Sequence, residues 1–417
     1  MSFSAFKASA KVIKFNYNGQ MISLSLKSLR MAQLVRDERS FSRAAERIPL
    51  TQSAVSQAVR KLETEIGYTL FESSPAGVVV TEAGARFLRR TDRAMAYLKE
   101  IDETLSRSAG MKVTLIHRTT TSQLKAFIEV YEQRSYSRAA QKLGLAQPSV
   151  HKAVRDFENL CQTRFYRRSP QGVEATWSAK QIAQKASLLF AELDQAIAEI
   201  REYYGIMDGK LRIGALPLAR ASLIPKATID LLKQYPQARV SIVDGPYDEQ
   251  LTQLLTGELD IIIGALRTPY PSPLVIQEEL FEDHLYLVTG AHHPLANRSD
   301  YDPRTLQTLS WLAPKKGTPA RAVFEGYFEA AGLEPPQKII ECSSLIAIRG
   351  ILMGSEFAAL LPAKQVSVDV LTGALAISPK AIEGTSRPIG LTYRKDWIPT
   401  ALQTSFLRTL RSTVVEL

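Results

Sequence analysis

Apolar side chains recur at helical spacing from Leu26 onward. Leu26, Leu29, Leu34 and Val35 fit one helix face. A short segment rich in Ala, Glu and Arg follows over 42–48, with Ser40 placed as its N-cap and Pro49-Leu50-Thr51 as a tight turn behind it. From Gln52 to Ile66, the residues Val55, Val59, Leu62 and Ile66 fall at steps of four and three, predicting a third helix with one buried stripe that Gly67 closes. Beyond the Pro75 to Gly77 turn, Val78 and Val80 alternate as in a strand, so the three helices are followed by a hairpin wing.

The same pattern returns 95 residues later without a gap. Over residues 28–84, 20 of 57 positions are identical to their counterparts, including Arg39-Ser40 with Arg134-Ser135, Ser42-Arg43-Ala44-Ala45 with Ser137-Arg138-Ala139-Ala140, and Gly77-Val78 with Gly172-Val173. Gln52, Val55, Ala58, Val59, Arg60 and Glu63 recur as Gln147, Val150, Ala153, Val154, Arg155 and Glu158. The sequence therefore reads as a duplicated module, expected at 25–83 and 119–176 after an N-terminal extension over 1–24 in which 12–17 reads as a strand. Each copy leads into a long helix, expected over 84–110 and 177–205. Ala94, Leu98, Ile101 and Leu105 step at heptad spacing in the first, and Ile182, Ala186, Leu189, Leu193, Ala196 and Ile200 in the second. Such seams require a partner helix: another chain, the chain's own core, or each other.

From 209 the rhythm changes to strands alternating with helices, which implies a parallel sheet wrapped by helices. Strands are expected at 210–215, 239–243, 260–264 and 284–289, with helices at 221–234 and 248–256. A second set follows, with strands at 309–313, 338–341 and 358–361 and helices at 320–331 and 345–353; a strand at 389–393 and a closing helix over 400–412 return to the first lobe. The fold class is α plus α/β: tandem winged helix-turn-helix domains with long linker helices, then a two-lobed α/β domain over 209–417.

Charge sharpens this division. The net +10 lies wholly in the N-terminal half, +6 over 1–110 and +4 over 111–208, against zero over 209–417. A basic half suits phosphate, and a neutral half something else. Two short helices joined by a tight turn, the second with a polar outer face, lay a helix in the major groove of double-stranded DNA. The first copy offers Ser42 and Arg43, then Gln52, Ser53, Ser56, Gln57, Arg60 and Lys61 on its third helix. The second offers Ser137 and Arg138, then Gln147, Ser149, His151, Lys152 and Arg155, with Arg167 and Arg168 on its wing. Glutamine matches adenine edges, and Arg and Lys match guanine edges or phosphates.

The run from Ser40 to Phe71 followed by Thr81-Glu82-Ala83-Gly84 resembles the DNA-binding domain of LysR-type transcriptional regulators. The second copy departs from that pattern: Ala146 stands for the usual hydroxyl residue, His151 aligns with Ser56, and Gln162 with Gly67. Gly209 to Ala215, Leu259 to Leu266 and His293 to Ala296 resemble the family's effector domain, which has a periplasmic-binding-protein-like architecture, and 244–248 with 262–267 looks closest to regulators of the galactose-binding-protein type. The resemblance implies linker-helix pairing between subunits of a homo-oligomer, a dimer or tetramer, and RNA polymerase as a further partner. A small-molecule effector, a sugar or small carboxylate, is expected beyond the carboxyl ends of strands. That rule selects Pro217, Leu218, Arg220 and Ser222, then Leu266 and Arg267, then Thr318 and Arg321, and finally Ser343 and Ser344.

The sequence holds no GxSxG, P-loop, HExxH or spaced Cys/His set, so it calls for no enzyme, metal or cofactor, and His292-His293 reads as a loop. Cys161 and Cys342 are too few for a disulfide framework, and the missing secretory signal and membrane span point to the cytoplasm and away from a transport binding protein. The expected function is effector-controlled, sequence-specific regulation of transcription. The alternative is that one helix-turn-helix copy reads DNA while the other serves assembly.

Overall fold

The computed structural model describes residues 23–75, 77–109, 114–170, 172–296, 298 and 301–415; the strand expected over 12–17 lies outside them. The chain divides into two compact units, the first taking residues up to Gly209 together with Leu255–Glu258 and the second the remainder.

In the first unit, helices α1 (Leu26–Glu38), α2 (Phe41–Glu46) and α3 (Gln52–Ile66) precede a hairpin of β1 (Phe71–Ser74) and β2 (Gly77–Val80), and helix α4 (Glu82–Ala109) follows. The plan then repeats as α5 (Thr121–Gln133), α6 (Tyr136–Leu143), α7 (Gln147–Cys161), β3 (Tyr166–Ser169), β4 (Gly172–Ala175) and α8 (Trp177–Tyr203). The short second helix begins at 41, not 42, because the Ser40 hydroxyl accepts the Arg43 N–H at 3.3 Å. Several identities between the copies have backbone causes. Arg39 and Arg134 end α1 and α5 in the left-handed region, both at φ 49°. Their carbonyls accept hydrogen bonds from Val78 N and Val173 N, both at 3.1 Å. At Gly77 (φ 111°) and Gly172 (φ 123°) a Cβ would lie only 2.9 and 2.8 Å from those carbonyl oxygens. Glu63 likewise accepts from Leu70 N at 2.7 Å and Phe71 N at 3.2 Å, and Glu158 from Phe165 N at 2.7 Å, so this repeated glutamate fastens the hairpin to the third helix.

The two long helices find their partner in one another. Phe87, Ala94, Leu98, Ile101 and Leu105 of α4 and Ile182, Leu189, Leu193, Ala196 and Ile200 of α8 share one hydrophobic core. Arg90, fully buried, donates from Nε and Nη2 to Glu199 at 2.9 and 2.6 Å. Its Nη1 donates to Glu192 at 2.9 Å and to Gln195 at 2.8 Å. Arg89 and Arg93 flank it, on Glu199 and Glu192 respectively, and Lys185 pairs with Glu100 farther along. Partners on α8 fall in number as those on α4 rise, so the pair is antiparallel.

The second unit contains two five-stranded sheets. Strand β5 (Lys210–Ala215) is followed by helices α9 (Pro217–Ala221) and α10 (Leu223–Gln234), β6 (Arg239–Val243), α11 (Tyr247–Thr256), β7 (Ile261–Ala265) and β8 (Val275–Asp283). Strand β9 (Leu285–Gly290) opens the second lobe, which continues through α12 (Pro303–Gln307), β10 (Ser310–Ala313), α13 (Pro319–Ala330), β11 (Ile339–Glu341), α14 (Leu345–Met353), β12 (Phe357–Pro362), α15 (Ser367–Leu371) and β13 (Leu375–Ile377). Strand β14 (Arg387–Arg394) returns to the first sheet and α16 (Ala401–Val415) ends the described chain. The sheet orders are β6-β5-β7-β14-β8 and β11-β10-β12-β9-β13.

Three expectations need correction. The sheets are mixed, since β14 runs antiparallel to β7 and β8, and β9 antiparallel to β12 and β13. The helix expected over 221–234 is α10, which starts at 223; a separate short helix, α9, precedes it and is broken from it at Ser222 (φ −142°, ψ −51°). Strands β8 and β13 were not anticipated, because charged residues over 278–283 hide the alternation of β8 and β13 is only three residues long. Where the chain passes between lobes, Arg387 Nη2 meets Asp283 at 3.0 Å, both side chains nearly buried.

Breaking one member of a buried ion cluster strands the others, whereas replacing the set with apolar groups does not. Arg90→Met is expected to lower the stability of the first unit by about 3–5 kcal/mol in denaturant titration. The combined Arg90→Met, Glu192→Leu, Glu199→Leu variant should recover most of that loss; an unaltered unfolding midpoint in Arg90→Met would show the cluster contributes little.

Candidate DNA interface and effector cleft

On α3 the buried stripe Val55, Val59, Leu62 and Ile66 is at most 1% exposed, which fixes the opposite face outward. Gln52, Ser53, Gln57, Arg60 and Lys61 are exposed there and Ser56 is half-buried, while Ser42 and Arg43 are exposed on α2. The Thr51 hydroxyl caps the helix by accepting the Ala54 N–H at 3.3 Å. On α7 Val150, Val154, Phe157 and Cys161 face inward, and Gln147, Ser149, His151, Lys152 and Arg155 are exposed. Its N-cap, Ala146, has no side-chain acceptor, and Pro148 in the first turn removes one donor instead. The wings differ in charge. Glu72 and Ser73 stand exposed in the first where Arg167 and Arg168 stand exposed in the second.

Two candidates carry structural duties. Ser137 Oγ donates to Gln147 Oε1 at 2.9 Å, tying α6 to α7, and Arg138 donates to the Gln133 carbonyl at 2.6 Å. A cavity of about 190 Å³, not anticipated from the sequence, lies between α7 and the second hairpin. It is lined by Tyr136, His151, Arg155, Arg164, Tyr166 and the wing arginines, with Glu158 at its base. The His151 and Tyr136 rings lie 4.9 Å apart, and burial beside Glu158 pushes the Tyr136 phenol up to about 12. Tyr166 hydroxyl donates to the Phe127 carbonyl at 2.5 Å. The signal for this cavity was present in the repeat: Arg164, Arg167 and Arg168 stand where the first copy has Thr69, Glu72 and Ser73.

In the second unit the effector candidates lie at carboxyl ends of strands. Pro217, Leu218, Arg220 and Ser222 follow β5, Leu266 and Arg267 follow β7, Thr318 and Arg321 follow β10, and Ser343 and Ser344 follow β11. Helix α9 packs against the helical turn Ala363–Gln365, which follows β12, so these edges of the two lobes adjoin. The three arginines differ. Arg220 pairs with Asp244. Arg321 is buried, donating to Glu325 at 2.7 Å and to the Pro314 carbonyl at 3.1 Å. The Arg267 guanidinium instead lies on the Tyr247 ring, 4.3 Å from its centroid, and its buried Nε has no hydrogen-bond partner. Burial lowers the Arg267 pKa, while Gln277 fixes its backbone by bonds to N and O at 2.8 and 2.9 Å. Thr318 and Ser344 cap α13 and α14, leaving Ser343 exposed without that duty. His293 accepts the Leu295 N–H at 3.0 Å and its other ring nitrogen faces the Glu356 carbonyl at 3.3 Å, so it braces a loop. Among the described residues no helix is long and apolar enough to cross a membrane.

A hydroxyl at the uncapped start of α7 has its acceptor position already shaped, with Ala146 at φ −71° and ψ 140°. Ala146→Thr is expected to stabilise the first unit and Thr51→Ala to weaken it, each by about 1 kcal/mol. Denaturant midpoints of the two variants moving in the same direction would refute that assignment.

The profile of the bacterial regulatory helix-turn-helix proteins of the lysR family matches residues 26–85 and again 121–180, and that of the LysR substrate binding domain matches 206–414. The HTH-type transcriptional regulator GalR of Pseudomonas putida is 30% identical over 378 residues, 90% of this chain and 94% of that protein. PcaQ of Agrobacterium fabrum is 29% identical over 70% of this chain and 94% of its own. Among solved structures, a full-length OxyR variant from Pseudomonas aeruginosa shares the fold with a TM-score of 0.54 at 23% identity, over 72% of this chain and 95% of that one. CbnR, a LysR family transcriptional regulator, does so with 0.50 at 21%, over 70% and 98%. The chain belongs to the LysR family: it is a DNA-binding transcriptional regulator with an N-terminal helix-turn-helix half and a two-lobed α/β effector-binding half.

Proposed function

We propose that both helix-turn-helix copies contact the operator, and that an anionic small molecule held between the lobes controls them. The observation that carries the first part is the shared build of α3 and α7. Each sets an inward apolar stripe under an exposed face of glutamine, serine and basic residues, in the unit that holds the whole positive excess. The reach of the GalR alignment supports a tandem arrangement, since the unaligned tenth of the chain is shorter than either helix-turn-helix match. For the effector, Arg267 is the arginine whose guanidinium is held on an aromatic ring and not by a carboxylate, which suits a small carboxylate or sugar acid. The exposed Ser343 hydroxyl, on the facing edge, supplies a second polar contact. Closure of the lobes on that ligand shifts the population of DNA-bound assemblies, and through them the access of RNA polymerase.

Selection of genomic fragments on the purified chain at moderate salt tests the DNA reading. Enriched fragments should share a motif; fragments without one, lost as salt rises, would leave only phosphate attraction and refute sequence-specific reading. Arg267→Met should abolish thermal stabilisation of the chain by a panel of small carboxylates and sugar acids, with DNA affinity unchanged within about twofold. Full stabilisation of the variant by a ligand that stabilises the parent would remove Arg267 from the site.

A further inference from the structure

The two module copies meet as a two-fold pair would. The offset between them is 95 residues, so position 26 corresponds to 121, 90 to 185 and 100 to 195. Leu26 N donates to Thr121 Oγ1 at 3.2 Å, and that hydroxyl donates to the Leu24 carbonyl at 2.7 Å, so a position faces its own counterpart. Arg90 donates to Gln195, and the exchanged pair, Lys185 with Glu100, is also joined. Contacts that map onto one another when the halves are exchanged are the mark of an isologous, two-fold interface. With the antiparallel α4–α8 seam, one chain holds the arrangement that symmetric dimers use to set two recognition helices on inverted half-sites.

The pairing is also heterotypic by charge. At the positions of Glu192 and Glu199 the first copy has Tyr97 and Thr104, so an α4–α4 pair would leave Arg90 without its two carboxylates. At the positions of Arg89, Arg90 and Arg93 the second copy has Gln184, Lys185 and Leu188, so an α8–α8 pair would bury Glu192 and Glu199 with one lysine between them. A buried charge without its partner is costly, and this selects α4 with α8.

The faces so placed are unequal. The first copy presents Gln52, Ser53, Ser56 and Gln57, then Arg60 and Lys61, on α3, with Glu72 and Ser73 on its wing. The second presents Lys152 on α7, and Arg155, Arg167 and Arg168 line the cavity beside that helix. Arg155 matches Arg60, so the added charge lies on the wing, where among the described residues Arg167 and Arg168 make no ion pair, although Glu174 stands opposite Arg167 in the hairpin. Amide and hydroxyl groups on a recognition helix discriminate bases, whereas arginines on a hairpin wing, off that helix, meet the phosphate backbone.

We propose that a single chain is a complete bipartite DNA-binding unit with unequal halves, in which the first module reads bases and the second anchors one inverted half-site chiefly through its phosphates. This rests on the reading that both modules face DNA. The operator of one chain is then an inverted pair of sites with a well-defined half and a degenerate half.

The test uses the full chain and a duplex it selects from a random library. One variant carries Gln52→Ala and Ser56→Ala, and the other Arg167→Ser and Arg168→Ser, all at positions outside the core. The first should lose roughly tenfold or more in affinity with altered base preference and an unchanged salt dependence. The second should weaken all sequences alike and lower the slope of log affinity on log salt by about two. When the two variants are produced together in one cell, binding to the selected duplex should stay as weak as for either alone. Restored binding would show that modules of different chains share a site, and would overturn the single-chain unit. Selected sites with two equally defined half-sites would overturn the division of labour. A library that yields no shared motif, with both variants changing only the salt slope, would refute base reading itself.

Discussion

Arg90 holds the architecture of the first unit together. An arginine without solvent exposure must be met on every donor or it unfolds its surroundings, and here Glu192, Gln195 and Glu199 meet it from one neighbouring helix. The carboxylates are in turn shared with Arg89 and Arg93, so four charged residues beyond Arg90 become mutually dependent. The apolar seam beside them supplies the burial, but Leu, Ile and Ala at heptad spacing would accept many partners. The ion cluster supplies the choice. Through it the two long helices lock antiparallel, and the modules at their ends are set against each other as one core.

Within each module, the residues that recur are those that shape the backbone. The left-handed arginine at the end of the first helix, the glycine whose missing Cβ lets the hairpin approach it, and the glutamate that ties the hairpin to the third helix all occur twice with nearly equal distances. The surfaces changed instead. Substitutions at Thr69, Glu72 and Ser73 to the arginines of the second copy cost the core nothing, because these positions are solvent-facing, and they turn an acidic wing into a basic one. A scaffold held by buried constraints is free to vary what it shows to DNA.

The effector half depends on a different economy of charge. Its arginines were indistinguishable along the sequence, each lying after a strand. Packing separates them: Arg321 braces the start of its own helix, Arg220 answers Asp244, and Arg267 is held by a ring that leaves its charge available. Arg387 and Asp283 are joined where the chain passes between lobes and hold that crossing.

The sequence by itself determined the module plan, the buried stripes, the outward faces of α3 and α7 and most strands of the effector half, because these follow from local periodicity and from caps such as Ser40 and Thr51. It also carried the family signature in consecutive residues. It did not show the mixed direction of the sheets or the strand at 275–283, whose pairing with β14 lies more than a hundred residues away in sequence. Nor did it choose among partners for the long helices, since hydrophobic spacing specifies that a seam exists and not what fills it. That choice, the cavity beside α7 and the distinction among the arginines were decided by tertiary structure, because each depends on which charged groups distant segments bring within hydrogen-bonding distance.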